Sequence, residues 1–399
     1  MLQNAFRGNI RYWILLGFWA VLIAVGLAYY GQQLTDGLAI TGMSQDVSWG
    51  LYISQFTFLV GVAASAVMVV LPYYLHNFKA FGKMVVLGES LAVSAVLMCM
   101  LFIFVDMGQP TRVMNVILHP TPNSMMFWDF IALTGYLVLN LVIGAVSLEA
   151  ERRGTPPPRW VKPLIYLSIP WAVSIHTVTA FLYAGLSART FWMTAILAPR
   201  FLASAFASGP SLLILLALIL RKCTKFDAGK EAIGKLATIV TYAMAINVFF
   251  VLVELFTGFY SGMPHHIHPL EYLFVGLHDA AGQQYTALVP WMWVCEALSV
   301  ACVVLLLFPK VRRQEGMLAI LCVGVIAAIW IEKGMAMIVA GFIPSPLGKI
   351  TEYTPTLPEI AITVGVYAIG FLVLTVLYKI VLGVRERTEI NQRTPESGG

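Results

Sequence analysis

Ten apolar runs, almost free of charge, dictate what this chain can fold into. They cover about 13–33, 51–75, 84–105, 126–148, 163–185, 201–220, 236–259, 287–308, 316–343 and 359–383. A helix of about 20 such residues crosses the hydrocarbon core of a bilayer. The expected fold is therefore all-α, a polytopic membrane protein with ten transmembrane helices. Composition agrees: 59% of the 399 residues are hydrophobic and 11% charged, against about 45–50% and 25% in soluble domains. A soluble enzyme, a disordered chain and a disulfide scaffold are excluded. The net charge of +5 gives no nucleic-acid signal, because the basic residues segregate by loop.

Orientation follows from that segregation. Twenty of the 25 Lys and Arg residues fall at the N-terminus, in the even-numbered loops or at the C-terminal end. The odd loops hold Arg112, Arg189, Arg200 and Lys349, and Lys333 lies inside a span. Both termini are expected in the cytoplasm, with the chain in the cytoplasmic membrane. The first run, preceded by Arg7 and Arg11, is too long for a signal-peptide core and is expected to remain as a helix. The stretch from Arg385 onward reads as a short disordered tail.

A faint repeat links spans five and nine. Ile175-His176-Thr177 with Ala184-Gly185 parallels Ile331-Glu332-Lys333 with Ala340-Gly341 at a constant offset. Gly82-Lys83-Met84 similarly resembles Gly234-Lys235-Leu236. Four-span repeats keep one membrane orientation, so their pseudo-axis runs along the membrane normal. The expectation is two pseudo-repeated four-helix bundles, spans 2–5 and 6–9, flanked by spans 1 and 10. The units are 1–50 (first span and outer loop), 51–200 (first bundle, with the ligand site), 201–345 (second bundle), 346–383 (last span) and 384–399 (cytoplasmic tail).

A charge at the bilayer centre costs about 2.5–3.5 kcal/mol on insertion scales, so each ionisable residue in a span demands a reason. These are Glu89, Asp129, His176, Glu254, Glu296, Glu332 and Lys333, with Asp106 and Glu359 at outer ends. Asp129, Tyr136 and Asn140 share one helix face, as do His176, Thr179 and Tyr183. Such polar stripes face a bundle interior. The plain alternative is interhelical bonding, with Lys333 neutralising Glu332 or Glu254. Glu89 is expected near the cytoplasmic surface and Glu296 near mid-membrane. Asp129, His176, Glu254 and Glu332, concentrated in the outer half, point instead to a pocket or a proton path.

Cofactor candidates narrow quickly. His176 is the one histidine inside a span, so a bis-histidine b haem in this chain is not expected. Five scattered cysteines supply no iron–sulfur ligand set, and phosphate-binding glycine patterns are absent. The tract Pro264-His265-His266-Ile267-His268 reads as an outer docking or solvated loop rather than a metal site. A quinone suits what is left: its tail takes hydrocarbon, its ring aromatic walls, and its carbonyls groups that exchange protons.

Three stretches resemble one family. Asp46-Val-Ser-Trp49-Gly50-Leu-Tyr52-Ile-Ser-Gln-Phe, running into Gly61-Val-Ala-Ala-Ser, resembles the second-span signature of the NrfD/PsrC-like quinone-interacting membrane subunits. Phe104-Val-Asp106-Met-Gly108-Gln-Pro110-Thr-Arg112 resembles its acid-Gly-x-Pro-x-Arg turn, and Asn123-Ser124-Met-Met-Phe-Trp128-Asp129 its entry to the fourth span. The run Ile165 to Phe181, with the length and span count, is most similar to the branch found in complexes of sulfate reducers and sulfur oxidisers.

The resemblance implies a menaquinone (or related quinone) site near the extracytoplasmic side. It implies an external ferredoxin-like iron–sulfur subunit and a multihaem cytochrome c subunit as partners. A b-haem membrane subunit and a cytoplasmic iron–sulfur subunit would complete the complex, linked to dissimilatory sulfite metabolism. Trp49, Asp106, Arg112, Trp128 and Asp129 carry over as quinone-site residues by motif; Tyr136, His176 and Thr179 join them by helical spacing. Glu254, Glu296, Glu332 and Lys333 of the second bundle resemble the family's proton-path groups, and Glu89 is a further proton-path candidate. The expected function is electron exchange between quinone and the external subunit, with proton translocation as a further expectation. Alternatives are a secondary transporter or proton channel, or a passive membrane anchor. The absence of a matched pair of broken spans argues against transport.

Overall fold

The computed structural model describes residues 3, 5–6, 8–279 and 281–393, with side chains up to 386. Arg7 of the charge count and residues 394–399 of the expected tail lie outside the described residues. Among the described residues, ten helices are long and apolar enough to span a membrane: α1 (Ile10–Ile40), α2 (Leu51–Leu75), α3 (Lys79–Asp106), α4 (Met125–Arg153), α5 (Val161–Ala184), α6 (Leu197–Cys223), α7 (Lys230–Ser261), α8 (Val289–Leu307), α9 (Glu315–Ala340) and α10 (Leu357–Glu386). The chain is a multi-pass, all-α membrane protein. Most helices outrun their apolar cores by several residues, because polar ends continue the backbone ladder into the headgroup zone. The last helix continues to Arg393, where a disordered tail from Arg385 is expected on composition.

The neighbour relations form two closed rings. α2 packs on α3, α3 on α4, α4 on α5 and α5 on α2, while α6, α7, α8 and α9 repeat that circuit. Between the rings, α2 packs on α6 and α9, and α5 packs on α6. Exchanging α2 with α6 and α5 with α9 maps these contacts onto themselves, as two pseudo-repeated bundles require. α2 sits at the junction, and every residue from Leu51 to Ala63 is buried.

Two irregularities interrupt the spans. α2 breaks between Ala63 and Val67, where Ala64, Ser65 and Val67 bond three residues back rather than four. Neither proline nor glycine occupies 64–66; the tightened turn lies against Gly209 of α6, where a Cβ would stand 3.1 Å from the Ser65 nitrogen. The second is a π-helical segment, Trp330–Ala336, in α9. Such segments occur often at functional sites. α2 has no broken counterpart, since α6 runs unbroken through Pro210.

Loops of the face assigned to the outside lock together. Glu359, fully buried at the head of α10, accepts from the backbone N–H groups of Gly42 (3.1 Å) and Leu51 (3.2 Å) and from the Tyr353 hydroxyl. Asp46 accepts from Lys349 at 2.5 Å and Thr351 at 2.9 Å. Together they hold the 41–50 segment, which carries Trp49, against the approach to α10. The histidine tract, expected as a loop, forms the helix Pro264–Phe274, packed on α7 and α8. Two two-residue strands, Leu277–His278 and Gln284–Tyr285, follow it as an antiparallel pair.

Candidate functional site

A cavity of about 960 Å³ opens in the first bundle, at the end that carries Trp49 and the 107–124 segment. Leu101 and Phe104 of α3 and Phe130, Leu133 and Leu137 of α4 supply its apolar walls. Its polar lining includes Asp106, Arg112, His119 and Asp129. The segment 107–124 forms the rim through two short helical turns, Pro110–Arg112 and Asn115–Leu118. Drug-sized ligands occupy cavities of about 300–1,000 Å³ with mostly apolar walls and few polar groups. A quinone head with the start of its tail fits that description.

Asp129 is 3% exposed, near the start of α4. Thr179, three residues along α5 from His176, lies 2.6 Å from its Oδ1 and 2.7 Å from the Ile175 carbonyl. One hydroxyl proton faces two acceptors. The hydroxyl is shared between the Asp129 carboxyl and the Ile175 carbonyl. The bond holds the carboxyl in place at the cavity wall.

An aromatic cluster closes one end of the cavity. Trp49 stacks on Trp192 at 5.8 Å between centroids and meets Tyr183 edge-on at 5.7 Å. The Tyr183 hydroxyl is 2.5 Å from Thr57 Oγ1 on α2. Tyr183 and His119 line the cavity but are not among the expected site residues. Tyr183 was legible on the face of His176 and Thr179; nothing in the sequence places His119.

The other expected site residues lie elsewhere. Trp128 is 46% exposed and donates its indole N–H to the Pro122 carbonyl at 2.7 Å, fixing the entry to α4 beside the cavity. Tyr136 is buried about two turns along α4 from Asp129, with Asn140 donating to its carbonyl at 2.8 Å. His176 is fully buried, and both its ring nitrogens lack a hydrogen-bond partner. Thr179 reaches the cavity through Asp129. Glu89 is buried deeper, facing Gly144 of α4, with neither carboxylate oxygen bonded.

The second bundle holds a compact charge network. Arg200 donates to Glu332 Oε1 from Nε (2.9 Å) and Nη2 (2.7 Å) and pairs with Glu254. Asn247 donates to Glu332 Oε2 at 2.7 Å. Lys333 Nζ makes no hydrogen bond and sits over the Phe201 ring, 4.2 Å from its centroid. Buried charge is tolerated where it is paired and hydrogen-bonded, and here one guanidinium bridges both carboxylates. Glu296 of α8 also faces inward, with Oε1 buried and unbonded. This corrects two expectations: Arg200 lies in the first turn of α6 rather than in a loop, and it, not Lys333, neutralises Glu254 and Glu332. Arg200 was hidden because it precedes the apolar run and follows Pro199. Among the described residues, no three His, Cys, Asp or Glu are placed to hold a metal ion.

Residues 39–345 match the model of the family described as polysulphide reductase, NrfD. Curated relatives span nearly the same length. A Halobacterium salinarum protein, provisionally named as a membrane subunit of dimethyl sulfoxide reductase, is 27% identical over 90% of this chain and 88% of its own. A selenate reductase subunit of Mesobacillus selenatarsenatis is 23% identical, covering 96% and 98%. The Hdr-like menaquinol oxidoreductase integral membrane subunit of Archaeoglobus fulgidus is 22% identical, covering 95% of each. With a family match over most of its length, on an architecture of ten spanning helices, this chain belongs to the NrfD polysulphide reductase family.

Proposed function

We propose that the chain is the quinone-interacting integral membrane subunit of a respiratory redox complex. The observation that carries this reading is the first-bundle cavity, whose apolar walls meet Asp129, Asp106 and Arg112 at one end. Bound there, a menaquinone or related quinone supplies two-electron, two-proton redox chemistry. Asp129, with Thr179 behind it, holds a proton at one ring carbonyl; Arg112 at the rim favours negative charge there. Trp49 and Tyr183 wall off the ring, and the α3–α4 side leaves the tail in lipid.

The finer assignment is a DsrP-type subunit of a DsrMKJOP-like complex in sulfite metabolism. Its partners would be an external ferredoxin-like iron–sulfur subunit, a multihaem cytochrome c, a b-haem membrane subunit and a cytoplasmic iron–sulfur subunit. Support comes from the Ile165 to Phe181 sequence. In this reading both termini are cytoplasmic, and Glu89, Glu254, Glu296, Glu332 and Lys333 conduct protons.

Binding of a menaquinol analogue to the assembled complex, followed by fluorescence quenching, tests the site. Saturable binding weakened by Asp129→Asn supports it, whereas no saturable binding to a folded complex rejects it. The lone break in α2, unmatched in α6, lacks the pairing a transporter's repeats would show; substrate-driven flux by the isolated chain in liposomes would establish transport instead.

A further inference from the structure

We propose that a polar cleft between the outer ends of α1 and α3 is the water inlet through which Asp106 exchanges protons with the outer aqueous phase, with Gln33 as its positioning residue. This inference rests on the quinone reading above, and it adds residues that neither the family motifs nor helical spacing single out.

Gln33 is the anomaly that leads there. Within Ile10–Asp36, Gly26 and Gln33 are the buried residues, and the rest of the helix is open to lipid or partly so. A buried amide in such a helix requires partners, and Gln33 has two. Its Nε2 donates to the Val105 carbonyl at 2.6 Å, and its Oε1 accepts from the Tyr52 hydroxyl at 2.8 Å. The amide therefore fixes the last turn of α3 against α2, one residue before Asp106.

Asp106 lines the first of two neighbouring spaces, the large cavity, and is followed by Met107, which borders both. The Asp106 Oδ1 is buried with no hydrogen-bond partner. The second space is a separate cleft of about 450 Å³. Gln33, Thr35, Asp36, Gln109 and Thr111 give the cleft its polar character. A buried water needs two to four polar partners, and this lining offers them. The same groups have no favourable use against hydrocarbon.

The chemistry balances as follows. Asp106 accepts one proton as a hydroquinone O–H bond breaks. The electron pair leaves in single steps for the iron–sulfur cluster of the partner subunit. The carboxyl then passes its proton to cleft water and returns to the carboxylate. Asp129, which lines the same cavity, takes the second proton and passes it to Asp106 once that carboxylate is free, so both protons leave through the cleft. Quinone reduction runs the same transfers backwards.

The experiment follows the Asp106 carboxyl in the assembled, quinone-free complex by infrared difference spectroscopy, after an acid step and a change from H₂O to D₂O. Loss of the signal in Asp106→Asn assigns it. Gly108→Leu fills the cleft from its wall, where a Cβ would meet nothing closer than Leu38 Cδ1 at 3.5 Å. Hydrogen–deuterium exchange is expected to slow about tenfold or more in Gly108→Leu and Gln33→Leu, with recovery in Gln33→Glu. Exchange as fast as wild type in Gly108→Leu overturns the inlet, and it decides alone should Gln33→Leu fail to assemble. Analogue binding is measured on the same samples. A wild type that exchanges rapidly but binds no analogue would sink the quinone reading and leave the water inlet standing.

Discussion

Thr179 on α5 and Asp129 on α4, fifty residues apart, meet at 2.6 Å behind the wall of the first-bundle cavity. The contact joins two adjacent helices of the first bundle at the depth where the cavity acquires its acid. Thr179 touches no cavity space itself, so its effect on a ligand passes through the carboxyl it orients.

Replacing Thr179 by Val keeps the shape and removes the hydroxyl. A hydrogen bond to a charged or proton-sharing group is worth about 1.5–3 kcal/mol. Affinity for a menaquinol analogue should fall about tenfold, equivalent to about 1.4 kcal/mol, with assembly unchanged. Titration of the purified complex reads this directly, and an unaltered affinity would remove Thr179 from the site.

Arg200 separates two carboxylates that burial would otherwise set against each other. Arg200→Met should cost about 3–5 kcal/mol, the usual penalty for stranding buried charge. Adding Glu254→Gln and Glu332→Gln should restore much of the loss. Thermal unfolding in detergent of the single and triple variants checks both steps. A triple variant no better than Arg200→Met would mean that packing, rather than charge, makes this residue necessary.

Much of the architecture is written in the apolar runs, because a span needs length and apolarity more than specificity. The Leu51–Leu75 run matches its helix at both ends, and Asp106, Arg112 and Asp129 converge as their motifs suggest. Partner choice is less legible. Periodicity shows that Glu254 and Glu332 face inward, but not that Arg200 from a third helix reaches both. The break in α2 has no local signal either. Its cause is the close approach of α6 at Gly209, a tertiary demand that Ala64-Ser65-Ala66 merely permits.

The outer loop tie carries its own pH dependence. The Lys349 ammonium, and then the Thr351 hydroxyl, hold the Asp46 carboxyl below the usual carboxylate range. A depressed folded pKa gives stability that is present above the unfolded value of about 3.9 and lost as pH falls through the folded one. Trp49 fluorescence should therefore stay constant from neutrality down to about pH 4 and change only below it. Asp46→Asn should abolish the acid-side change, and a transition surviving in that variant would place its origin elsewhere.

Gly26 and Gly365 allow α1 and α10 to touch. A Cβ on Gly26 would lie 2.7 Å from the Gly365 Cα. Gly365→Leu should push the helices apart at about 1–3 kcal/mol, leaving the cavity intact. Loss of an engineered disulfide across the α1–α10 contact, with analogue binding retained, is the expected result. Efficient crosslinking would show that the helices separate without the glycines being needed.

That contact also sets an order in time. The principal neighbour of α1 is α10, so α1 is made well before its partner. Until then α1 must live in lipid as a solitary segment, and its sequence is suited to the wait. No charge lies between Trp13 and Thr35, and its one buried amide stays unmatched only until Tyr52 and Val105 are made. The helix enters the membrane as its own anchor and gains its main packing partner only when α10 follows.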